Sequence, residues 1–425
     1  MKLKGKKVLV VGLGLSGVSA VRFLLECGAV VAVTDRKAFE EFSPEVRVLV
    51  SSLEGHWGNP RKEIFQGRDL IVVSPGVPLD REDLVEARRS GVSILGEFGL
   101  AAEFLKSPLI AVTGTNGKST TVSLIGEILK QSGKKVMVAG NIGTPLLEAV
   151  MSDKPWDWVV AEVSSYQLET VRKFRPQIAL LLNITEDHLD RYPSMEGYAQ
   201  AKFRLFEEQG PKDFLIYNDN DPRVRAGVQK AKAQKIPFSQ IVLPSLDRAT
   251  LTGVHNRENM TAAVEAARLA GASPEAIQQT LENFHGLPHR TEFVRELRGV
   301  RYYDDSKGTN VDAAVKSLSG FPDKKVILIA GGRDKGGDYR PLSEAAQKKV
   351  KLAVLIGEAR EKIARALEGS TEIIQAERME RAVPLAAQRA ESGDIVLLSP
   401  ACSSFDQFRD YKERGDLFQK LVKKL

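Results

Sequence analysis

The sequence predicts an α/β protein built from three successive domains with mostly parallel sheets. Short apolar runs alternate with helical segments along the whole chain, which is the pattern of βαβ units. Two glycine-rich turns each follow an apolar run and open a helix. A chain of 425 residues is long enough for about two to four domains, each with its own core. We place the domains at residues 1–96, 97–287 and 288–425.

The first domain opens with a βαβ unit. Residues 7–11 form an apolar run, residues 18–26 have the pattern of a helix, and residues 29–33 form the next apolar run. A further strand is predicted at residues 70–73, where the sequence Ser74-Pro-Gly76 ends it. This arrangement predicts a Rossmann-like domain.

A G-x-G-x-x-G pattern, formed by Gly12, Gly14 and Gly17, lies between the first strand and the helix. Asp35 ends the second strand. Taken alone, this pattern predicts dinucleotide binding, with Asp35 on the ribose hydroxyls. An NAD-dependent oxidoreductase is therefore one hypothesis, although we find no set of residues suited to hydride transfer. The glycine-rich helix N-terminus would bind the diphosphate of another nucleotide by the same interactions, so the pattern does not by itself identify NAD.

The second and third domains continue the alternation of strands and helices. In the second domain, a helix presents Val122, Ile125 and Leu129 on one face, and Gly133 follows as a C-terminal stop. Another helix is predicted at residues 259–269. Strands are predicted at residues 109–112, 136–139, 158–163, 178–183 and 214–217, and in the Rossmann-like third domain at residues 300–303, 326–330, 353–356 and 395–398. Ligands are expected at the carboxyl ends of these strands.

The segment Gly114-Thr-Asn-Gly-Lys-Ser-Thr120 follows a strand and opens a helix, which is the context that a phosphate loop requires. Gly114 and Gly117 let several backbone N–H groups point at one phosphate, and the helix N-terminus adds partial positive charge. Lys118 can reach the β- and γ-phosphates, and the Ser119 hydroxyl can bind Mg²⁺. The loop is a variant, because Val112 stands where the general pattern has its first glycine. The second domain is therefore predicted to be a P-loop ATPase-type domain.

Composition excludes several classes of protein. Hydrophobic residues make up 43% and charged residues 27%, which is typical of a globular chain. No apolar run approaches the roughly 20 residues of a membrane helix, so we expect no membrane association. The net charge of +6 is spread along the chain, so no nucleic-acid partner is expected. Cys27 and Cys402 form no C-x-x-C pattern, which favours a reducing cytoplasm.

The phosphate loop resembles that of the Mur ligase superfamily, which also includes folylpolyglutamate synthases. Further matching segments follow in order along the chain: Ala-Gly-Asn141-Ile-Gly, Ala-Glu162-Val-Ser-Ser-Tyr-Gln, Thr-Glu-Asp-His188-Leu-Asp-Arg-Tyr, Ala-Gln-Ala-Lys202-Phe, His-Asn256-Arg-Glu-Asn259 and Pro-His-Arg290-Thr-Glu. Within the superfamily the chain is similar to the branch that adds D-glutamate during peptidoglycan synthesis. That narrower resemblance is carried by Gly12-Leu-Gly-Leu-Ser-Gly17, Tyr303-Asp-Asp-Ser-Lys-Gly-Thr-Asn310 and Leu398-Ser-Pro-Ala-Cys-Ser-Ser-Phe-Asp-Gln-Phe408. The Asp-Asn-Pro-Arg signature of the lysine- and diaminopimelate-adding relatives does not occur.

The resemblance implies a cytoplasmic, monomeric ligase that serves cell-wall growth, cell shape and cell division. It would use ATP and two Mg²⁺ ions to join D-glutamate to UDP-N-acetylmuramoyl-L-alanine through an acyl phosphate. The implied catalytic residues are Lys118, His188 and Lys202, with Lys202 carbamylated. The implied metal ligands are Ser119, Glu162, His188 and Lys202. The implied ATP-binding residues are Gly114, Thr115, Asn116, Gly117, Lys118, Ser119, Thr120, Asn256, Asn259, Arg290 and Asp305.

The resemblance also implies where the two other substrates bind. The uridine diphosphate would contact Leu15, Ser16, Asp35, Arg36, Ser74 and Gly76. The muramoyl-alanine would pass Asn141, Ser164 and His188. D-glutamate would contact Lys307, Thr309, Lys335, Ser404 and Phe405, and a pair of lysines suits a dicarboxylate. Arg333 departs from the acidic residue that relatives often carry there.

Two further hypotheses stay open at this point. A nucleic-acid-binding ATPase would need an arginine finger and a basic groove, and the sequence marks neither. A sister ligase for another amino acid, such as a folylpolyglutamate synthase, would not need the nucleotide-type glycine loop of the first domain.

Overall fold

The computed structural model describes residues 1–58, 61–251 and 253–425. The chain divides into two compact units, and each is described by itself. The first unit comprises Met1–Asn183, Ala199–Ser245 and Glu258–Thr280. The second unit comprises Ile184–Tyr198, Leu246–Arg257 and Leu281–Leu425.

The first sheet has five parallel strands in the order β3-β2-β1-β4-β5. Its glycine loop follows β1, and Gly17 lets the next helix pack tightly, since a Cβ there would lie 1.8 Å from the Gly12 carbonyl oxygen. The strands are β1 (Lys7–Val11), β2 (Val30–Asp35), β3 (Glu54–Trp57), β4 (Leu70–Val73) and β5 (Ser93–Gly96). The helices are α1 (Leu15–Glu26), α2 (Pro44–Val50), α3 (Glu82–Arg89) and α4 (Glu97–Phe104).

The second sheet has six parallel strands in the order β11-β10-β9-β6-β8-β7. The strands are β6 (Leu109–Thr113), β7 (Val136–Gly140), β8 (Trp158–Glu162), β9 (Ile178–Leu181), β10 (Phe214–Tyr217) and β11 (Gln234–Pro237). The helices are α5 (Lys118–Gln131), α6 (Leu147–Met151), α7 (Ser165–Glu169), α8 (Met195–Phe203), α9 (Pro222–Gly227), α10 (Val254–Leu269) and α11 (Pro274–Asn283). Strand β6 is central and buried along its length, which fixes the loop that follows it.

The third sheet has six strands in the order β12-β13-β17-β14-β15-β16, and only β12 runs antiparallel to its neighbour among the described strands. The strands are β12 (Glu292–Leu297), β13 (Val300–Asp304), β14 (Val326–Gly331), β15 (Val350–Ile356), β16 (Glu372–Glu377) and β17 (Ile395–Leu398). The helices are α12 (Val311–Ser319), α13 (Arg340–Lys349), α14 (Arg360–Leu367), α15 (Met379–Arg389) and α16 (Tyr411–Lys424).

Both faces of the third sheet carry a hydrophobic core. Along β14, Val326 and Leu328 face one cluster, whereas Ile327 and Ile329 face the other. All four are fully buried, and each buried aliphatic side chain contributes about 1.5–3 kcal/mol of transfer free energy. A near-continuous apolar strand is what a parallel sheet covered by helices on both faces requires.

The predicted three-domain α/β architecture is confirmed, with parallel sheets in the first two domains and a mixed sheet in the third. The predicted domain boundaries at residues 96 and 287 stay a prediction. Five strands were not predicted from the sequence, and all of them lie at the edges of sheets: β3, β5, β11, β12 and β16. Within the described ranges, no helix is both long and apolar enough to cross a membrane.

Candidate active site

The phosphate loop lies at the carboxyl end of β6 in the first unit. Gly117 has a φ of 86°, a left-handed conformation that favours glycine. A Cβ at this position would lie 2.2 Å from Oδ1 of Asn259, which leaves no room for a side chain. The residues that follow, from Lys118, enter α5, so the helix N-terminus faces the loop. The arrangement is that of an anion site built from backbone N–H groups.

Asn183 supports this loop from the neighbouring strand end. Its backbone carbonyl accepts from the N–H of Thr115 at 2.9 Å, and its Oδ1 accepts from the N–H of Asn116 at 2.8 Å. Its amide also donates to the Asn116 carbonyl at 3.1 Å. The sequence analysis placed Asn183 only as the last residue of a strand. The signal that could have found it was a polar residue at the carboxyl end of an apolar run next to the loop.

Two lysines donate to the same loop carbonyl. Lys118 Nζ lies 2.8 Å from the Gly114 oxygen and 2.7 Å from the Thr115 oxygen. Lys202, on α8, is 1% exposed, and its Nζ donates to the Gly114 oxygen at 3.0 Å. The structure thus brings together two of the three predicted catalytic residues within the first unit.

Glu162 ends β8 beside the phosphate loop and is 2% exposed. Its Oε2 accepts from Ser119 Oγ at 2.6 Å, and its Oε1 accepts from Asn141 Nδ2 at 2.8 Å. A carboxylate and a hydroxyl are hard oxygen ligands of the kind that Mg²⁺ prefers. Glu162 and Ser119 are therefore chemically suited to hold a magnesium ion next to the loop, and that role stays a prediction.

The remaining residues predicted to bind ATP divide between the two units. In the first unit, Thr120 is buried, and Asn259 Oδ1 lies 3.5 Å from the Thr121 hydroxyl. In the second unit, Asn256 and Arg290 are half-buried. Their roles at the nucleotide stay predictions.

Asp305, predicted to contact the ATP ribose, is buried in the second unit. Burial raises the pKa of its carboxyl group to about 6, although Ser399 and Arg290 oppose the shift. Its Oδ2 accepts from Ser399 Oγ at 2.7 Å, and its Oδ1 accepts from the Thr291 N–H at 3.1 Å. Both oxygens are thus hydrogen-bonded inside the protein.

The loops of the first sheet converge on the glycine pattern. Asp35 accepts from the N–H groups of Leu13 at 2.6 Å and Lys37 at 3.0 Å, so both of its oxygens bind main chain. Ser74 Oγ donates to the Gly12 carbonyl at 2.8 Å. Arg36 and Gly76 are exposed nearby.

A cleft of about 670 Å³ opens beside this loop in the first unit. Leu15, the first residue of α1, lies on its wall and is 77% exposed. Ser16, the next residue, is half-buried. Two cations that the sequence analysis did not select, Arg22 and Lys37, also line the cleft. Three carboxylates, those of Glu41, Glu45 and Glu148, line the cleft as well, so the feature that suits a diphosphate is the N-terminus of α1.

Ser164, predicted on the path of the muramoyl group, caps α7. Its Oγ accepts from the N–H of Gln167 at 3.2 Å, and the Gln167 side chain reaches back to the Ser164 N–H at 2.9 Å. This reciprocal capping box satisfies the helix start. A contact between Ser164 and substrate stays a prediction.

Three loops meet at the carboxyl ends of β13, β17 and β14 in the second unit. The Ala401 N–H donates to the Gly308 carbonyl at 2.9 Å, and Arg333 and Ser403 exchange two backbone hydrogen bonds. These pairings connect the three loops that carry the residues expected around D-glutamate, and their contact with that substrate stays a prediction. The set is Lys307 and Thr309 on the first loop, Ser404 and Phe405 on the second, and Lys335 on the third.

The environments within this set differ. Lys307 Nζ lies 3.9 Å from the centroid of the Tyr411 ring, in cation–π geometry. Ser404 is buried, whereas Phe405 is 62% exposed. A single exposed aromatic ring needs no functional explanation, so a contact between Phe405 and a substrate stays a prediction.

Asp187 was not selected from the sequence, yet it connects several of the predicted residues in the second unit. It accepts from Lys335 Nζ at 3.0 Å, from Asn310 Nδ2 at 3.0 Å and from the His188 N–H at 2.9 Å. His188 Nε2 lies 3.6 Å from its Oδ2, and His188 has a φ of 57°. Burial opposes ionisation of Asp187, but Lys335, His188 and Asn310 outweigh it and lower its pKa to about 2.

Arg333 has its side chain on the surface. Its guanidinium is paired with Glu358 at 3.3 Å, and both side chains are more than half exposed. The Arg333 charge is thus turned toward Glu358. Exposed pairs of this kind contribute little to stability.

The comparisons identify the family of the chain. Three family models match successive segments: "Mur ligase MurD-like, N-terminal domain" at residues 6–96, "Mur ligase middle domain" at residues 112–242, and "Mur ligase, glutamate ligase domain" at residues 289–402. The chain belongs to the Mur ligase family. This membership confirms the predicted ligase class over the oxidoreductase alternative, and the MurD-like N-terminal model spans the glycine pattern of the first domain.

Among curated Mur ligases, the UDP-N-acetylmuramoylalanine–D-glutamate ligase of Geotalea daltonii is 47% identical, with 100% of this chain and 99% of that protein covered. The protein of the same name from Acidobacterium capsulatum is 45% identical, with coverages of 99% and 97%.

Solved structures of Mur ligases share the fold. The MurF ligase of Thermotoga maritima in complex with ADP aligns with a TM-score of 0.63 at 17% identity, covering 100% of this chain and 97% of that chain. The UDP-N-acetylmuramate–alanine ligase of the same organism aligns with a TM-score of 0.62 at 17% identity, with 99% of each chain covered. At these identities the likeness shows the fold alone.

Proposed function

We propose that this Mur ligase joins the amino group of D-glutamate to the carboxylate of UDP-N-acetylmuramoyl-L-alanine, with ATP hydrolysed to ADP and phosphate. The observation that carries the proposal is the phosphate loop with Ser119 and Glu162 hydrogen-bonded beside it. The names of the relatives at 45–47% identity supply the substrates. A folylpolyglutamate synthase is a weaker candidate, because a Mur-type first domain with a cleft at its glycine loop suits a sugar nucleotide.

The reaction needs activation because hydroxide is a poor leaving group from a carboxylate. A carboxylate oxygen attacks the γ-phosphorus of ATP, the bond to the β-phosphate oxygen breaks, and ADP leaves. The amine of D-glutamate then attacks the acyl carbon, loses a proton and expels phosphate. Negative charge accumulates in the first step, so cations and N–H groups around the phosphates would lower its barrier.

Lys118 is positioned for this charge. It now donates to carbonyls of its own loop, and its flexible stem would turn to the β- and γ-phosphates when ATP binds. Glu162 and Ser119 would hold Mg²⁺, which supplies charge neutralisation at the phosphates. The full set proposed for ATP is Gly114, Thr115, Asn116, Gly117, Lys118, Ser119, Thr120, Asn256, Asn259, Arg290 and Asp305.

Lys202 is proposed to carry a carbamate. Its ammonium group is buried and shares the Gly114 oxygen with Lys118, so the two positive charges oppose each other. Reaction of the neutral amine with CO₂ would replace one cation by an anion and remove that repulsion. The new carboxylate would be a metal ligand, consistent with two Mg²⁺ ions, and His188 as a further ligand stays part of the proposal.

The other substrates are assigned by loop. The uridine diphosphate would lie at the glycine loop and its cleft, and D-glutamate would lie at the three loops of the third sheet. The sugar nucleotide is assigned Leu15, Ser16, Asp35, Arg36, Ser74, Gly76, Asn141 and Ser164, and D-glutamate is assigned Lys307, Thr309, Lys335, Ser404 and Phe405. We also propose that the enzyme is a cytoplasmic monomer with small-molecule substrates and no nucleic-acid partner.

An isotope experiment tests the reaction. UDP-N-acetylmuramoyl-L-alanine with a heavy oxygen isotope in its carboxylate is incubated with ATP, Mg²⁺ and D-glutamate. The proposal expects the label in the released phosphate and a nucleotide product extended by one glutamate. Amide formation with unlabelled phosphate would contradict the acyl-phosphate route.

A further inference from the structure

Asp187 links two of the loops proposed to bind the amino acid. It receives Lys335 from the loop after β14 and Asn310 from the end of the loop after β13. Asn310 is adjacent to Thr309, and its Oδ1 accepts from the Ala313 N–H to cap α12. One buried carboxylate therefore ties the chain beside Thr309 to the ammonium group of Lys335.

The contact also restricts Lys335. A free lysine side chain loses rotamer entropy when it binds a ligand, and this loss weakens binding. The Lys335 side chain is 16% exposed, so the ammonium group is largely fixed before a ligand arrives. An ammonium group has three N–H donors, and a hydrogen bond to Asp187 leaves others for a ligand carboxylate. Fixing a binding group in advance increases affinity without adding a contact.

We propose that Asp187 is a positioning residue for the amino-acid substrate, acting by fixing Lys335 and its spacing from Thr309. The inference rests on the proposed function, because Lys335 and Thr309 are assigned there to the carboxylates of D-glutamate. Asp187 acts through these residues. It is a determinant of amino-acid affinity in a segment, Ile184–Tyr198, in which only His188 was selected from the sequence, and for other roles.

The test separates binding of the amino acid from binding of the other substrates. In Asp187→Asn, which keeps the shape but removes the charge, the KM for D-glutamate is expected to rise by roughly tenfold or more. The KM values for ATP and the sugar nucleotide are expected to stay within about twofold. The control is Glu196→Gln, which removes an exposed carboxylate from the same segment and should leave all three KM values unchanged.

A double-mutant cycle tests whether Asp187 acts through Lys335. If it does, Asp187→Asn combined with Lys335→Met raises the KM for D-glutamate no further than Lys335→Met alone. If the double variant instead raises the KM for D-glutamate by the product of the two single effects, the inference is overturned. So would an Asp187→Asn enzyme whose KM for D-glutamate is unchanged while kcat or the thermal midpoint falls, since that result indicates a general structural role.

The inference can still be tested if Asp187→Asn does not fold or if the enzyme does not use D-glutamate. If Asp187→Asn does not fold, Asp187→Glu retains the charge but moves it, and the same rise in KM for D-glutamate is expected. A wild-type enzyme that shows no turnover with D-glutamate would refute the proposed function. In that case, the KM of Asp187→Asn for the amino acid that is used tests the inference separately, and an unchanged value would overturn it.

Discussion

Lys118 and Lys202 donate to one backbone oxygen, that of Gly114, at 2.8 and 3.0 Å. The two lysines come from different helices, and Lys202 is almost fully buried. The shared acceptor places two cations at the entrance of the phosphate loop. The two lysines have different proposed roles, so their substitutions are expected to have different effects.

Removal of the Lys118 ammonium group should reduce turnover strongly. We expect Lys118→Ala to lower kcat by roughly a hundredfold or more, because a cation that neutralises phosphate charge in the transition state is lost. The measurement is ADP release at saturating substrates. Lys130→Ala, which removes an exposed lysine from the same helix, is the control and should keep full activity. Near-normal kcat in Lys118→Ala would refute the phosphate-loop assignment.

Activity should depend on bicarbonate if Lys202 is carbamylated. Only the neutral amine reacts with CO₂, so stimulation by added bicarbonate should be largest at mildly acidic pH. Labelled bicarbonate should give a carbamate resonance in the wild type that is absent from Lys202→Ala. Full activity of Lys202→Ala would exclude the modification as a functional requirement.

The pair of Ser119 and Glu162 should set the Mg²⁺ requirement. Glu162→Gln keeps the shape and the hydrogen bonding to Asn141 but removes the charge that attracts the cation. The Mg²⁺ concentration for half-maximal activity is expected to rise by roughly tenfold or more, measured at fixed ATP. An unchanged Mg²⁺ curve would show that the ion binds elsewhere.

Two glycines with similar backbone angles should respond differently to alanine. Gly117 and Gly133 have φ values of 86° and 76°, so each substitution carries about 1–2 kcal/mol of left-handed strain. A Cβ at Gly133 meets open space, whereas at Gly117 it would meet Asn259. We expect Gly117→Ala to lower the thermal midpoint more than Gly133→Ala and to raise the KM for ATP. Equal effects would indicate that the loop moves aside.

Glu97 should make stability depend on pH. Burial raises its pKa from 4.5 to about 7, although its hydrogen bond from the Leu147 N–H opposes the shift. Between these values the folded chain holds a proton that the unfolded chain has lost, so stability falls as pH rises. Glu97→Gln mimics the protonated form, and its thermal midpoint relative to wild type should increase from pH ~5 to pH ~8.

The control for this pH effect is the exposed Glu127→Gln, for which the difference from wild type should not change with pH. A constant difference between Glu97→Gln and wild type would mean that Glu97 titrates normally in the folded chain.

The sequence could predict the strands in the middle of each sheet because both of their faces are buried. Val8 to Val11 and Ile395 to Leu398 are apolar throughout, and their bounds were predicted correctly. The edge strands Glu54–Trp57 and Gln234–Pro237 carry exposed polar residues, so no apolar run marks them, whereas the edge strand Val136–Gly140 has such a run and was predicted. Each of the two missed strands pairs with a strand about 20 residues earlier in the chain, and this pairing, which no local pattern marks, makes it a strand.

In the candidate site, too, consecutive residues could be predicted from the sequence, whereas residues that depend on distant partners could not. The phosphate loop could be predicted because its residues are consecutive. Asp187 could not be selected, because its role depends on Asn310 and Lys335, which are far away in sequence and meet it only in the folded second unit. Arg333 left the local arrangement open for the same reason, since its partner Glu358 lies on another loop.

The most direct test of the central proposal is phosphate release from ATP and Mg²⁺ with UDP-N-acetylmuramoyl-L-alanine, to which D-glutamate, L-glutamate, L-lysine or D-alanine is added singly. We expect release with D-glutamate alone. Release with a different amino acid would make the chain a sister ligase with another specificity. No release with any of them would contradict the assignment of the sugar-nucleotide substrate.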